Sequence, residues 1–188
     1  ELGEKSGLSA IEGELKITAT GGINDKAEIN DDSEYQAKRY AKDGIEITSS
    51  EKVEIKESIY QSQEHISIEA DSLDITSNAS IYSDANTTII TFNDADLNNA
   101  IIKSKNQDVS IESSNGNINL TGNKDEGVYG YIEANNNIDI KAFNKITNQG
   151  IVKAVEVGLT STNKDIKNEG WISADNDISL VAKEQVVN

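Results

Sequence analysis

Hydrophobic and polar residues alternate along most of the chain, in runs of about three to five residues. Leu15-x-Ile17 and Ile45-x-Ile47 show the pattern, in which every second residue is apolar. A period of two puts alternate side chains on opposite faces of an extended strand, whereas a helix needs a period near 3.6. Asn-Gly, the strongest tight-hairpin signal, occurs once, at 115–116. The pattern therefore predicts many short strands that are not joined as hairpins.

A unit of 20 residues recurs in residues 130–188. It reads Asn-x-Gly, then an aromatic residue or Ile, then Ile or Val, any residue and Ala, and a second apolar pair follows. The repeated positions are Asn148, Asn168 and Asn188; Gly130, Gly150 and Gly170; Ile132, Val152 and Ile172; and Ala134, Ala154 and Ala174. A constant period of this length is the sequence signature of a solenoid, in which each repeat packs on its neighbours.

Residues 1–130 repeat the same pattern less regularly, in units of about 19 to 30 residues, so that the whole chain holds about eight units. Leu15-x-Ile17 and Ile45-x-Ile47 occupy one strand position of the unit. Ala27-x-Ile29 is aligned with Val53-x-Ile55 at the next strand position, because each segment has two apolar residues separated by one residue.

The third strand position is aligned on the pattern Ser-x-Tyr, followed by Gln in two cases. The aligned segments are residues 33–36, 58–61 and 80–83. This alignment predicts a strand that ends before a longer loop at 39–43. A helix over 34–42 is the alternative, because that segment is rich in helix formers and is followed by Gly44.

Three short strands in each unit of about 20 residues predict a parallel β-helix, whose coils stack at about 4.8 Å. The period is longer and more variable than the 18 residues of a left-handed hexapeptide helix, which favours the right-handed form. The predicted fold class is therefore all-β, a right-handed parallel β-helix of about eight coils. Residues 1–188 form one β-helical segment, with irregular coils and loops over 1–130 and regular repeats over 130–188.

Alternation assigns a side to each repeated residue of the regular part. Ile132, Val152 and Ile172 point inward, so Tyr131, Ile151 and Trp171 form an outward column along one face. This column either packs beneath a neighbouring loop or serves as a binding strip for a sugar or a protein. The three Asn residues are expected to form a hydrogen-bonded ladder, and the three Gly residues to supply turn geometry, through positive φ or close approach.

The charge and the rare residue types narrow the function classes. The 17 Lys and Arg residues stand against 33 Asp and Glu, a net charge of −16 that argues against binding nucleic acid or an anionic membrane surface. No apolar run is long enough for a membrane span. The chain lacks Cys and has one His, His65, which excludes thiolate metal sites and multi-His sites. We expect no catalytic residues, no cofactor and no metal. Weak calcium binding by paired carboxylates is the alternative to a merely solvated acidic face.

Residues 146–188 resemble the haemagglutinin repeats of filamentous haemagglutinin-type exoproteins, whose pattern is Asn-x-Gly-x-Ile-x-Ala followed by an apolar residue, any residue and Leu. The matching positions are Asn148, Gly150, Val152, Ala154, Asn168, Gly170, Ile172, Ala174, Ile178 and Leu180. Residues 4–20 are similar to phrases between repeat blocks in the same proteins, and residues 45–120 share the pattern more diffusely. The resemblance implies a right-handed β-helical shaft, exported through an outer-membrane transporter by two-partner secretion to a Gram-negative cell surface.

Three functions follow from the resemblance and the composition. The leading interpretation is an internal shaft segment of a large secreted adhesin, structural and adhesive and without catalysis, that binds a host or neighbouring-cell protein or glycan. The second is the receptor-recognising stalk of a contact-dependent growth inhibition toxin, whose irregular loops at 39–43 and 123–128 contact a target cell. The third is a carbohydrate-active β-helix enzyme, which the strongly acidic composition disfavours.

Overall fold

The computed structural model describes residues 7–26, 37–122 and 129–188, which form a solenoid of short β-strands without a helix among them. The strands are β1 Leu8–Ala10, β2 Glu14–Ala19, β3 Ile23–Lys26, β4 Ala37–Ala41, β5 Gly44–Ser49, β6 Lys52–Lys56, β7 Ser58–Ser62, β8 His65–Ala70, β9 Ser72–Thr76, β10 Ser80–Ser83, β11 Thr87–Thr91, β12 Ala95–Asn98, β13 Ile101–Ser104, β14 Val109–Ser113, β15 Ile118–Thr121, β16 Tyr131–Ala134, β17 Asn137–Ala142, β18 Ile146–Asn148, β19 Ile151–Ala154, β20 Glu156–Ser161, β21 Ile166–Asn168, β22 Trp171–Ala174, β23 Ile178–Ala182 and β24 Val186–Val187.

Three parallel sheets run along the solenoid, and each coil contributes one strand to each sheet. The first sheet has the order β1-β4-β7-β10-β13-β16-β19-β22, the second β2-β5-β8-β11-β14-β17-β20-β23, and the third β3-β6-β9-β12-β15-β18-β21-β24. The predicted parallel β-helix is thus confirmed. Its right-handed sense stays a prediction, in line with the near-universal handedness of parallel crossovers.

The register advances by 19 to 23 residues at five of the seven coil-to-coil steps, as between Tyr60 and Ile81 or between Val152 and Ile172. Two steps are longer, from Leu8 to Arg39 and from Ile102 to Ile132. These two steps include residues 27–36 and 123–128, which lie outside the described residues. In both steps the extra residues lie between a strand of the third sheet and the next strand of the first sheet. The three sheets therefore continue without interruption across both steps.

The core consists of apolar columns that run the length of the solenoid. In the first sheet, Ile81, Ile102, Ile132 and Val152 follow one another in register and are fully buried. Burial of each such side chain contributes about 1.5–3 kcal/mol, which strands of this length need because they cannot be stable alone. Ile172 continues the column in the last coil and is only partly buried, because no described coil covers it.

The strand β4 corrects the predicted structure of residues 34–43. Residues 37–41 are a strand, so the helix alternative is wrong there, and residues 33–36 lie outside the described residues. The predicted alignment placed Tyr35 beside Tyr60. In the structure Arg39, four residues later, pairs in register with Tyr60. The predicted loop at 39–43 is also wrong, since only Lys42 and Asp43 form the turn. The predicted alignment of residues 58–61 with 80–83 is also shifted by one residue, because Tyr60 pairs with Ile81 and not with Tyr82.

An ion pair lies inside the first three coils, where the sequence pattern predicts only apolar side chains. Asp25 accepts a hydrogen bond from Arg39 Nη2 at 2.7 Å and another from the Tyr60 hydroxyl, so both of its carboxylate oxygens are engaged. All three residues are fully buried. Asp25 occupies the position that Ile55 takes in the next coil, and the predicted strand position at Ala27-x-Ile29 is therefore wrong.

Burial and the adjacent charge act together on the tyrosine. Burial raises the pKa of Tyr60 well above its usual value, and the negative charge of Asp25 raises it further. The phenol therefore stays neutral and donates a hydrogen bond to Asp25. Because Asp25, Arg39 and Tyr60 come from three successive coils, their contacts also tie the order of these coils to one arrangement.

We expect Arg39→Met to destabilise the protein by about 3–5 kcal/mol, because it leaves the Asp25 carboxylate buried without its counter-ion. Lys42→Met, three residues later in an exposed turn, is the matched control and is expected to change stability by less than about 0.5 kcal/mol. Urea denaturation followed by far-UV circular dichroism gives both values. Equal stability of the two variants would show that Arg39 is not in the core.

The repeated Asn and Gly residues form two adjacent columns at the turn before the first sheet. Asn148 Nδ2 donates to Asn168 Oδ1 at 2.7 Å, and Asn168 Nδ2 donates to Asn188 Oδ1, which makes the ladder. Asn148 Oδ1 also accepts a hydrogen bond from the backbone N–H of Gly150 at 3.1 Å. A Cβ atom on Gly150 would overlap the carbonyl oxygen of Gly130, so close approach is the reason for glycine here.

Candidate functional site on the outer face of the first sheet

Tyr131, Ile151 and Trp171 are direct neighbours on the outer face of the first sheet. Trp171 is 68% exposed, whereas Tyr131 and Ile151 are half-buried between their neighbours. The exposure of Trp171 argues against a covering loop at that end of the column. The structure therefore places the three residues as the sequence predicts, in one outward column along one face.

The same column extends into the irregular half of the chain, where sequence reasoning did not follow it. Ile101 pairs with Tyr131, Ser80 with Ile101, and Ile59 with Ser80. The step from Ile101 to Tyr131 contains the longer insertion, which conceals the repeat in the sequence. The column is thus largely apolar or aromatic over six successive coils.

A second outward column lies beside the first and adds polar groups to it. Its members, in register order, are Tyr40, Gln61, Tyr82, Lys103, Glu133 and Lys153. A shallow groove runs between this column and the turns at Asp84, Lys105 and Asp175. Tyr82, lysines and carboxylates line this groove, which we call the lateral groove, and the first outward column lies beside it.

Sequence reasoning missed Tyr82 as part of this face, because the alignment on Ser-x-Tyr placed Tyr60 and Tyr82 in one column. The true register is shifted by one residue, so Tyr60 points into the core and Tyr82 points outward. Tyr40 was missed for a similar reason, since its strand was assigned to a loop. A signal was present, because Lys38 and Tyr40 alternate with Ala37, Arg39 and Ala41.

Charges in the lateral groove are paired across coils. Lys103 Nζ and Lys153 Nζ lie 3.3 and 3.2 Å from the Glu133 carboxylate. Lys103 Nζ also lies 4.8 Å from the centre of the Tyr131 ring, within the range of a cation–π contact. Lys105 Nζ lies 3.7 Å from Asp84 Oδ1. These exposed ion pairs contribute little to stability, so an incoming ligand can replace them at small cost.

The pKa directions follow from this pairing. Partial burial raises the pKa of Tyr131, and the nearby Glu133 charge raises it further. Partial burial alone would raise the pKa of Glu133, but hydrogen bonds from Lys153 and Lys103 outweigh it and lower the pKa. The hydrogen bond to Glu133 raises the pKa of Lys153. Glu133 is therefore held as a carboxylate, a form that accepts hydrogen bonds and does not act as a general acid.

The first sheet differs from the other two in its outward residues. Tyr40, Tyr82, Tyr131 and Trp171 all lie on its outer face, whereas the described outward strand positions of the second and third sheets carry no Phe, Tyr or Trp. Phe92 and Phe143 are exposed, but they lie at the turn between the second and third sheets. Aromatic faces with adjacent lysines and carboxylates suit a sugar chain or a protein surface, where rings stack and polar groups give orientation.

Comparison with protein-family models, with curated proteins and with solved structures finds no significant match to this chain. Within the described residues, none of the structure is a helix of the length and apolar character that crossing a bilayer requires. The geometry of the lateral groove and of the solenoid is therefore the basis for any functional conclusion.

Trp171, the single tryptophan of the chain, reports directly on the exposure of the outward column. We expect its fluorescence to be quenched readily by acrylamide in the folded protein, nearly as well as in urea, because 68% of its surface is accessible. Stern–Volmer plots at low and high urea measure the difference. Strong protection of Trp171 in the folded protein would show that this end of the column is covered.

Proposed function

We propose that this chain is a shaft segment of a large secreted bacterial surface adhesin of filamentous haemagglutinin type, structural and adhesive and without catalysis. The observation that carries the proposal is the solenoid itself, three parallel sheets with one face lined by aromatic residues. Seven steps of about 4.8 Å give a rod of roughly 34 Å, which holds surface groups at fixed spacing. A fold of this kind is compatible with a shaft.

Rigidity and repetition favour a shaft. Each coil contacts only its neighbours, so a solenoid extends without limit by the addition of coils. The Asn ladder and the glycine column hold the regular coils in one register, and the buried Asp25–Arg39–Tyr60 cluster does the same for the first three coils. Export through an outer-membrane transporter and display on a Gram-negative cell surface belong to the same proposal, and their support is the resemblance of residues 146–188 to haemagglutinin repeats.

Adhesion is assigned to the lateral groove and the outward column beside it. That column is largely apolar or aromatic from coil to coil, and the polar column that lines the groove offers both lysines and carboxylates. A glycan or a protein on a host or neighbouring cell matches this mixture, since ring faces pack on sugar rings and the polar groups bind hydroxyls or charges. The strong acidity of the whole chain reduces non-specific attachment to anionic surfaces elsewhere on the rod.

The toxin-stalk alternative loses one of its two supports. It relied on loops at 39–43 and 123–128 that would contact a target cell. Arg39 is fully buried and Ala41 ends a strand, so residues 39–41 are not part of such a loop. Residues 123–128 lie outside the described residues. The regular outer face of the first sheet is therefore the better basis for recognition.

The test compares two double variants of the 188-residue chain in binding to host or neighbouring cells and to a glycan array. Tyr131→Ala with Trp171→Ala removes both rings of the regular column and is expected to weaken binding about tenfold or more, because aromatic anchors often contribute about 2 kcal/mol. Phe92→Ala with Phe143→Ala removes two exposed rings outside the groove and is expected to leave binding unchanged. Equal binding by both variants and the unmodified chain would show that the column does not take part in adhesion.

A further inference from the structure

Three residues with metal-binding side chains meet on the outer face of the second sheet. Glu14, Gly44 and His65 occupy one register column in the first three coils, and Glu46 is the next outward residue after Gly44. One ligand atom from each of Glu14, Glu46 and His65 lies within 4.8 Å of the other two. In sequence these residues are far apart, so spacing alone gives no sign of the cluster.

Within the cluster, the two carboxylates each face two partners. The Oε1 atoms of Glu14 and Glu46 lie 3.6 and 3.9 Å from His65 Nε2. Their Oε2 atoms lie 3.0 and 2.8 Å from Lys16 Nζ. Lys16 therefore holds one oxygen of each carboxylate and leaves the other directed at the imidazole.

Gly44 makes the position of the imidazole possible. A Cβ atom at Gly44 would lie 2.5 Å from His65 Cε1 and 2.9 Å from both ring nitrogens. The His65 ring thus lies in the space that any other side chain at 44 would fill. From there its Nε2 atom faces the Glu46 carboxylate of the neighbouring coil and the Glu14 carboxylate of the coil beyond it.

We propose that Glu14 Oε1, Glu46 Oε1 and His65 Nε2 form a binding site for a divalent transition-metal ion of the Zn²⁺ class, with water completing the coordination. Zinc bonds of about 2.0–2.1 Å to nitrogen and oxygen separate tetrahedral ligand atoms by roughly 3.3 Å. The observed separations from His65 Nε2 are 3.6 and 3.9 Å, so small side-chain rotations complete the geometry. An imidazole with two carboxylates favours transition metals over Ca²⁺, which prefers six to eight oxygen ligands.

Lys16 is a positioning residue in this site. Its ammonium group orients both carboxylates and cancels one of their two charges, which limits their mutual repulsion when no metal is bound. The site connects the first three coils, since Glu14, Glu46 and His65 belong to β2, β5 and β8. This inference is independent of the proposed adhesive function. It departs from the expectation of no metal, which rested on spacing along the sequence and on the lack of thiolate ligands.

The experiment titrates the 188-residue chain with ZnCl₂ at neutral pH and follows the NMR signals of its one imidazole. The proposal predicts that one equivalent of Zn²⁺ shifts or broadens the His65 signals and that isothermal calorimetry gives a stoichiometry of one. An equal concentration of Ca²⁺ is expected to leave the His65 signals in place. His65 signals that do not respond to Zn²⁺ would overturn the proposal.

Variants separate the site from the general acidity of the chain. His65→Ala, Glu14→Gln and Glu46→Gln are each expected to weaken Zn²⁺ binding about 10- to 100-fold or more, at least as much as loss of an outer-shell partner. Glu69→Gln, on the same strand as His65 but exposed and outside the cluster, is the control and is expected to bind like the unmodified chain. Circular dichroism checks that each variant is folded. If His65→Ala keeps the affinity, the ion is held by adventitious carboxylates and the proposal is wrong.

Discussion

Hydrogen bonds between parallel strands of successive coils are the interaction on which the rest of this structure depends. They hold each residue about 4.8 Å from its counterpart in the next coil, so that every position of the repeat becomes a column. Each side chain contacts the side chain at the same repeat position in the next coil. The residue types of one column must therefore be able to pack on, or hydrogen-bond to, one another. Apolar columns fill the interior, Asn148 and Asn168 hydrogen-bond to the next amide of their own column, and Gly150 and Gly170 permit backbones to approach.

This constraint explains which parts of the structure can be read from the sequence. Alternation with a period of two and a constant repeat are sufficient for the strands, the parallel sheets and the outward column of Tyr131, Ile151 and Trp171. The alternation and the repeat both arise because similar residues recur at the same position of successive coils, which leaves a periodic signal in the sequence. The Asn ladder was equally predictable, since an amide both donates and accepts and can therefore repeat in a stack.

The parts that sequence reasoning missed involve residues whose partners have a different chemistry. Asp25 takes an inward position because Arg39 and Tyr60, from the next two coils, satisfy it, and an isolated Asp in the pattern gives no sign of that. The error at 27–29 followed from preferring an apolar pair to the true position. Glu14, Glu46 and His65 come together because of the register of three coils and because Gly44 has no side chain. The spacing of these residues along the sequence reveals neither.

Charge follows the same columns. The chain carries an excess of acids, yet lysines stand beside carboxylates one coil away, as in Lys153 with Glu133 and Lys52 with Asp74. Like charges stacked at the spacing of neighbouring strands would repel one another. The only arginine, Arg39, lies in the core, so every described surface cation is a lysine. The lateral groove is the face where such lysines adjoin aromatic rings.

Cross-linking of paired cysteines tests most directly whether the register is the one described, because the chain has no native cysteine. Gln61 and Tyr82 are register partners on the outer face, at about 4.8 Å between Cα atoms, within the range of a disulfide. Ile59 and Tyr82 face the same side but are offset by two residues, at roughly 8 Å. The account predicts rapid disulfide formation in Gln61→Cys/Tyr82→Cys and little in Ile59→Cys/Tyr82→Cys. Failure of the first pair to form a disulfide, or equal formation in both, would contradict the register and with it the assignment of the lateral groove.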